Sequence, residues 1–311
     1  MPRTMPSAPA QNPAAGRLLP FMAAAAGIAL FCVMDALVKS ASIQIGVYSA
    51  LLFRSLAGTA LLLPLWLLQV GKLPSRAALR IHALRAAVVA AMAVFFFWGL
   101  VRMPMAEAIA LSFIAPLVAL YLAALLLGER IRRTAVVASL FGIAGVVVIA
   151  AGRLGSEAGE AQSASALGIA SVLASALLYA WNLVIQRQQA LLAPPVEVAF
   201  FQAMFMGIIL AVAAPWLLRW PTADVLIETT AAAALAGTAL VLLTWAYARA
   251  EAQALVPFEY TALIWAALLG WLWFGDPLTP STLAGAALVI AGSWLAAART
   301  GQPAQQASSA S

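Results

Sequence analysis

Ten long apolar stretches separated by short polar breaks organise the chain: residues 18–39, 43–68, 79–101, 104–127, 134–151, 166–187, 196–217, 230–249, 253–274 and 280–298. A helix that crosses the hydrocarbon core of a bilayer needs about 20 apolar residues. The run 134–151 is the shortest of the ten. The breaks carry turn and stop signals, such as Gly71-Lys72-Leu73-Pro74 after the second run and Pro194-Pro195 before the seventh. The pattern predicts an all-α membrane protein with ten transmembrane helices.

Composition strengthens that expectation. Hydrophobic residues make up 65% of the chain and charged residues 9%, with a mean hydropathy of +0.99. A soluble chain averages roughly a quarter charged residues, so this one lacks the polar surface to cover a core in water. The net charge of +6 does not indicate nucleic-acid binding, because the basic residues sit in gaps between apolar runs instead of forming one basic face. Cys32 is the one cysteine, which excludes an internal disulfide, and His82 is the one histidine, which excludes a multi-histidine zinc site. No cofactor or metal is expected.

Residues 1–17 and 299–311 read as disordered cytoplasmic tails. The first apolar run is too long for a signal peptide and no small-residue cleavage site ends it. Residues 152–165, GRLGSEAGEAQSAS, have the composition of a linker near the middle of the chain. With both termini in the cytoplasm, twelve Lys and Arg fall on the cytoplasmic side and four on the other. That asymmetry favours this orientation in an inner membrane.

The halves on either side of the linker echo one another. At an offset of 147, Gly128-Glu129 falls on Gly275-Asp276, Gly145 on Gly292, Trp98 on Trp245, Arg102 on Arg249 and Asp35 on Asn182. Another patch, AEAIAL at 106–111, matches AEAQAL at 250–255 at an offset of 144. Five helices per half is an odd number, so two such repeats (18–151 and 166–298) would be inverted across the membrane. Inverted repeats around a central site are a transporter architecture.

These residues resemble the drug/metabolite transporter superfamily, specifically its EamA-type ten-helix carriers built from two five-helix repeats. The pieces that carry the resemblance are Asp35-Ala36-Leu37-Val38-Lys39, Phe53-Arg54, Leu84-Arg85, Pro116 with Gly128-Glu129, and Pro257-Phe258-Glu259-Tyr260. It implies a cavity between the halves, lined mainly by the first, third, fourth, sixth, eighth and ninth helices. The fifth and tenth would lie at the periphery, where a homodimer contact can form. The second half departs from the pattern, with Asp276 for the usual Glu and no proline matching Pro116.

Charged groups inside a bilayer cost about 2.5–3.5 kcal/mol each on insertion scales, so each needs a reason. Asp35 and Lys39 share a helical face at i and i+4, where they can pair, with Arg54 as a third partner. Glu107 and Glu259 lie in the fourth and ninth helices, the second read as the deeper. Trp98, Trp245 and Tyr247 either line a cavity or anchor at the interface. Tyr179, Asn182 and Gln186 share one face, suited to a cavity wall or to interhelical hydrogen bonds, and Tyr260 follows Glu259. These twelve are the candidate substrate-binding residues. Ser139, Gly142, Gly145, Gly285 and Gly292 mark close helix packing.

The reading is a secondary carrier for a small organic metabolite such as an amino acid, vitamin or related polar aromatic compound. It is expected to need the lipid bilayer, to bind no nucleic acid and to catalyse no reaction. No P-loop is present, and neither G-x-S-x-G nor H-E-x-x-H occurs. The alternatives are a channel or lipid flippase of the same topology, and a membrane-embedded enzyme.

Overall fold

The computed structural model describes residues 13–127, 133–156, 158–190, 193–247, 249, 255 and 258–297. Among them the chain is helical throughout: α1 Pro13–Ile45, α2 Val47–Gln69, α3 Arg76–Leu100, α4 Met105–Ser112, α5 Ala115–Leu127, α6 Arg133–Gly155, α7 Gly159–Ala190, α8 Pro195–Ala211, α9 Ala214–Leu217, α10 Ala223–Tyr247, α11 Thr261–Leu269, a π-helical turn Gly270–Phe274, and α12 Pro280–Ala297. Among the described residues, five helical segments are long and apolar enough to cross a membrane: Leu19–Ile45, Val47–Gln69, Arg76–Leu100, Gly159–Leu183 and Ala223–Ala246. Five shorter apolar ones are Met105–Ala119, Ser139–Gly155, Pro195–Ala211, Thr261–Phe274 and Pro280–Gly292. Leucines and tryptophans stand exposed on the outer faces, an arrangement that lipid tolerates and water does not.

Local chemistry places the breaks. α1 runs past the expected stop at residue 39 because nothing interrupts it before Gly46, which takes φ +84° and links α1 to α2. The fourth apolar run splits at Phe113–Ile114 because Pro116 cannot donate a hydrogen bond to Ser112 and its ring crowds that carbonyl. Pro215 breaks the seventh run in the same way, two residues into the short α9.

Residues 152–165 are less of a linker than their composition predicts. α6 extends through Gly155 and α7 starts at Gly159, because the alanine, glutamate and glutamine of this stretch are adequate helix formers. Residues 13–17, expected in the N-terminal tail, likewise belong to α1. The remaining tail residues, Gly128-Glu129, Arg130, Arg132 and Pro257 lie outside the described residues.

The main seams join helices from before the middle of the chain to helices after it: α1 with α10, α2 with α8, α3 with α7, and α6 with α12. Glycines make two of these close. A Cβ on Gly99 of α3 would meet the Gly168 carbonyl of α7 at 2.7 Å. One on Gly145 of α6 would meet the Gly285 carbonyl of α12 at 2.5 Å, and one on Gly142 would run into the Leu117 side chain of α5. These small residues therefore serve contacts within the chain.

Candidate functional site

α1 ends and α3 ends at one end of the bundle, and α3 begins at the other; the two are named by Lys39 and His82. At the Lys39 end, the ammonium of Lys39 is buried and fully engaged. It donates to the Met103 carbonyl at 3.1 Å and to Asp276 Oδ2 at 3.1 Å, and lies 4.5 Å from the centre of the Phe274 ring. The same carboxylate oxygen accepts from the Met105 amide at 2.8 Å, at the N-terminus of α4, where the helix dipole favours a negative charge. The π-helical turn and Gly275, with φ +65°, swing Asp276 back over Gly270, where a Cβ would touch its Oδ2 at 2.9 Å. Glu107 is buried beside this junction; it accepts from Thr282 Oγ1 at 3.0 Å and its Oε2 lies 3.9 Å from Arg153 Nε. One charge cluster thus ties α1, α4 and α6 to the α11–α12 connection.

This corrects the expected pairing of Asp35 with Lys39. The two share a face, but Lys39 reaches forward to Asp276, whose carboxylate is presented from a tight turn at that end. Asp35 remains partly buried one turn deeper. Its charged neighbour is Arg54, which donates to Met34 Sδ at 3.9 Å and has a buried Nε with no partner. No direct ion pair or hydrogen bond joins Asp35 and Arg54.

At the His82 end, α3, α7 and α8 share a buried polar chain. Arg85 donates from Nε to Asn182 Oδ1 at 2.9 Å and from Nη1 to Gln189 Oε1 at 2.6 Å. The Gln189 amide nitrogen meets His82 Nδ1, and His82 Nε2 lies 3.2 Å from Glu197 Oε1. Trp66, Phe200 and Phe201 pack over this end, with Phe201 stacked on His82 at 5.2 Å.

The tryptophans take a third arrangement. Arg102 lies 3.4 Å above the Trp98 ring and donates to the Trp98 carbonyl at 2.8 Å. Arg249 lies 4.3 Å above Trp245 and donates to its carbonyl at 3.4 Å. Each pair sits at the C-terminal end of its helix, where a cation also complements the dipole. The two pairs are at opposite ends of the bundle, since α10 begins beside the end of α1 and finishes beside its start. One face of each ring is therefore covered by arginine.

Of the remaining candidates, Asn182 is buried against Arg85, while Tyr179 and Gln186 on the same helix are exposed. Tyr179 has Arg85 and Glu259 as charged neighbours. Glu259 lies two residues before α11 and is exposed. Tyr260 caps that helix and packs edge-on against Phe113 at 5.5 Å. Tyr247 ends α10, and its side chain lies outside the described residues.

Sequence reasoning passed over four members of the His82 network: His82, Arg85, Gln189 and Glu197. Arg85 lies buried in α3. The available signal was His82 and Arg85 at i and i+3, opposite Asn182 and Gln189 at i and i+7.

Comparison with known proteins places this geometry in context. A family model described as the EamA-like transporter family matches residues 18–151 and 166–298. The pseudopaline exporter CntI of Pseudomonas aeruginosa (strain UCBPP-PA14) is 28% identical over 270 residues, covering 84% of this chain and 89% of that protein. A Helicobacter pylori protein described as an uncharacterized transporter is 26% identical over 266 residues, covering 84% and 88%. A solved crystal structure superposes with a TM-score of 0.60 at 22% identity over 91% of this chain and 97% of that one, a likeness of fold alone.

Proposed function

Because the chain belongs to the EamA-like transporter family, we propose that it is a secondary carrier of a small organic metabolite, working by alternating access in an inner membrane. The observation that carries this reading is the position of the two charge networks. Each joins the two family-matched segments, one at the Lys39 end and one at the His82 end. Junctions of this kind at both ends are what a carrier needs to close each side in turn.

In this reading the ten apolar helical segments are ten spans forming two inverted five-helix repeats. The seams support it. Exchanging first-repeat and second-repeat counterparts turns the α1–α10 seam into the α7–α3 seam, and returns α2–α8 and α6–α12 to themselves. The polar contacts follow the same exchange: Ser40 and Gln44 at the end of α1 donate to Glu228 near the start of α10 at 3.2 and 3.3 Å, as Gln189 at the end of α7 meets His82 near the start of α3. The Trp–Arg pairs, 147 residues apart, add a second match.

The termini are then cytoplasmic, and the His82 end faces the cytoplasm. Reporter fusions at Arg76, Ser163 and the C-terminus are expected to report inside, outside and inside; a cytoplasmic Ser163 would overturn the inverted arrangement. Homodimerisation through the fifth and tenth spans would use their outward apolar faces, such as Leu140 and Val147 of α6 and Trp294 of α12, since their glycines are engaged internally.

Asp35, Arg54, Tyr179 and Glu259 are the groups this reading assigns to substrate. Lys39, Asn182 and Glu107 instead hold the junctions together. Proteoliposomes loaded with a bacterial metabolite extract should lose one or a few compounds faster than protein-free vesicles. Asp35→Asn should fold normally and remove most of that loss. Loss at the wild-type rate would take Asp35 out of the site.

A further inference from the structure

The proton positions in the His82 network follow from the donors alone. Arginine has only donors, so the Gln189 atom 2.6 Å from Arg85 is its amide oxygen. The Gln189 nitrogen therefore faces His82 and donates to Nδ1. Nδ1 must be the acceptor, which leaves the ring proton on Nε2, donated to Glu197 Oε1 at 3.2 Å. The whole chain from Arg85 to Glu197 is satisfied only while His82 is neutral.

A proton added to Nδ1 would place two donors face to face. Gln189 cannot relieve this by turning its amide over, because its nitrogen would then face the Arg85 guanidinium. The Gln189–His82 contact must break, which leaves Arg85 alone to tie this end of α7 to α3. The contact between α3 and α8 persists, because the imidazolium then lies against the Glu197 carboxylate. The groups facing His82 are Glu197 and the Phe201 ring from α8, neutral Gln189 from α7 with Asn182 beyond it, and Arg85 on α3 itself. Arg85 and Glu259 both act electrostatically on Tyr179.

We propose that His82 is a proton-binding site whose occupancy opens the seam between α3 and α7 at its end of the bundle. It takes its functional meaning from the carrier reading: opening this junction would admit or release substrate on one side, with proton uptake favouring the open form by linkage. Arg85 links the proton site to Asn182 and, electrostatically, to Tyr179.

The test needs no substrate. Ser175 is buried in the same seam, two turns deeper than Asn182, and donates to the Met92 carbonyl of α3 at 2.9 Å. In a Cys32→Ser background, Ser175→Cys supplies a single thiol that a methanethiosulfonate reagent reaches only when the seam opens. Rates are taken relative to exposed Ser163→Cys, which removes the intrinsic pH dependence of thiol reactivity. From about pH 8 to about pH 5.5 the relative rate should rise about fivefold, the factor that losing one hydrogen bond of about 1 kcal/mol gives. His82→Gln should flatten the profile. Gln189→Leu, which removes the opposing donor and the contact together, should label fast at both pH values and serves should His82→Gln fail to fold. A flat wild-type profile, or a steep one surviving either substitution, overturns the proposal. A carrier that moves metabolites with a flat labelling profile would lose this inference alone; a steep profile with no transport would leave the proton site and remove the carrier.

Discussion

Asp276→Asn is expected to cost about 3–5 kcal/mol, the usual loss when one partner of a buried ion pair is removed. The reason is that Lys39 is buried and Asp276 is the acid in contact with it, while Glu107 acts on it only from farther away. The Lys39 side chain is 4% exposed against 18% for Asp276, and its other contacts are one carbonyl and the face of Phe274. Neither replaces a counter-charge. Lys39→Met should cost less, because Asp276 keeps the Met105 amide and the helix dipole of α4 and is better hydrated. The double change removes both charges and should recover much of the loss. Thermal unfolding of the four purified proteins in one detergent gives the coupling directly. Additive losses would mean that Lys39 and Asp276 act separately.

Gly145→Val should be as severe through packing alone. Its Cβ would stand 2.5 Å from the Gly285 carbonyl and 2.9 Å from the Val289 amide nitrogen. Both are backbone atoms, which cannot move aside as a flexible side chain can. The α6–α12 seam would have to separate, and the overpacking penalty of about 1–3 kcal/mol would be joined by lost contacts along the seam. Gly237, whose Cβ would meet nothing within 4 Å, is the internal control: Gly237→Val should cost nothing, because valine is the slightly better helix former. Expression and melting temperature distinguish the two. Equal effects at both positions would refute the close approach.

The apolar runs made the helices legible, because a bilayer imposes one length and one composition on every segment that crosses it. Proline and glycine marked breaks, though helix ends such as that of α1 extended to the next residue able to stop them. The Trp98–Arg102 and Trp245–Arg249 repeat was legible as a spacing, but not as a stack, since a spacing does not show which way a side chain turns. Partner choice was the least legible. Asp35 lies one turn from Lys39, and short range favoured that pair; Asp276, 237 residues away, won because a glycine-ended turn delivers it to the ammonium. A lone histidine excludes a multi-histidine zinc site, but nothing near His82 in the sequence shows what it pairs with. Its partners come from α7 and α8, more than 100 residues along the chain.

The claim that this chain is a carrier is tested most directly by counterflow. Proteoliposomes are preloaded with an unlabelled compound that the metabolite screen shows to leave, and the same compound, labelled, is added outside at trace concentration. A carrier is expected to draw the label inward above equilibrium, transiently and with its chemical form unchanged, because each outward passage returns the site for an inward one. Label that only equilibrates would indicate a channel, and label recovered as a different compound would indicate an enzyme; either result would contradict the account.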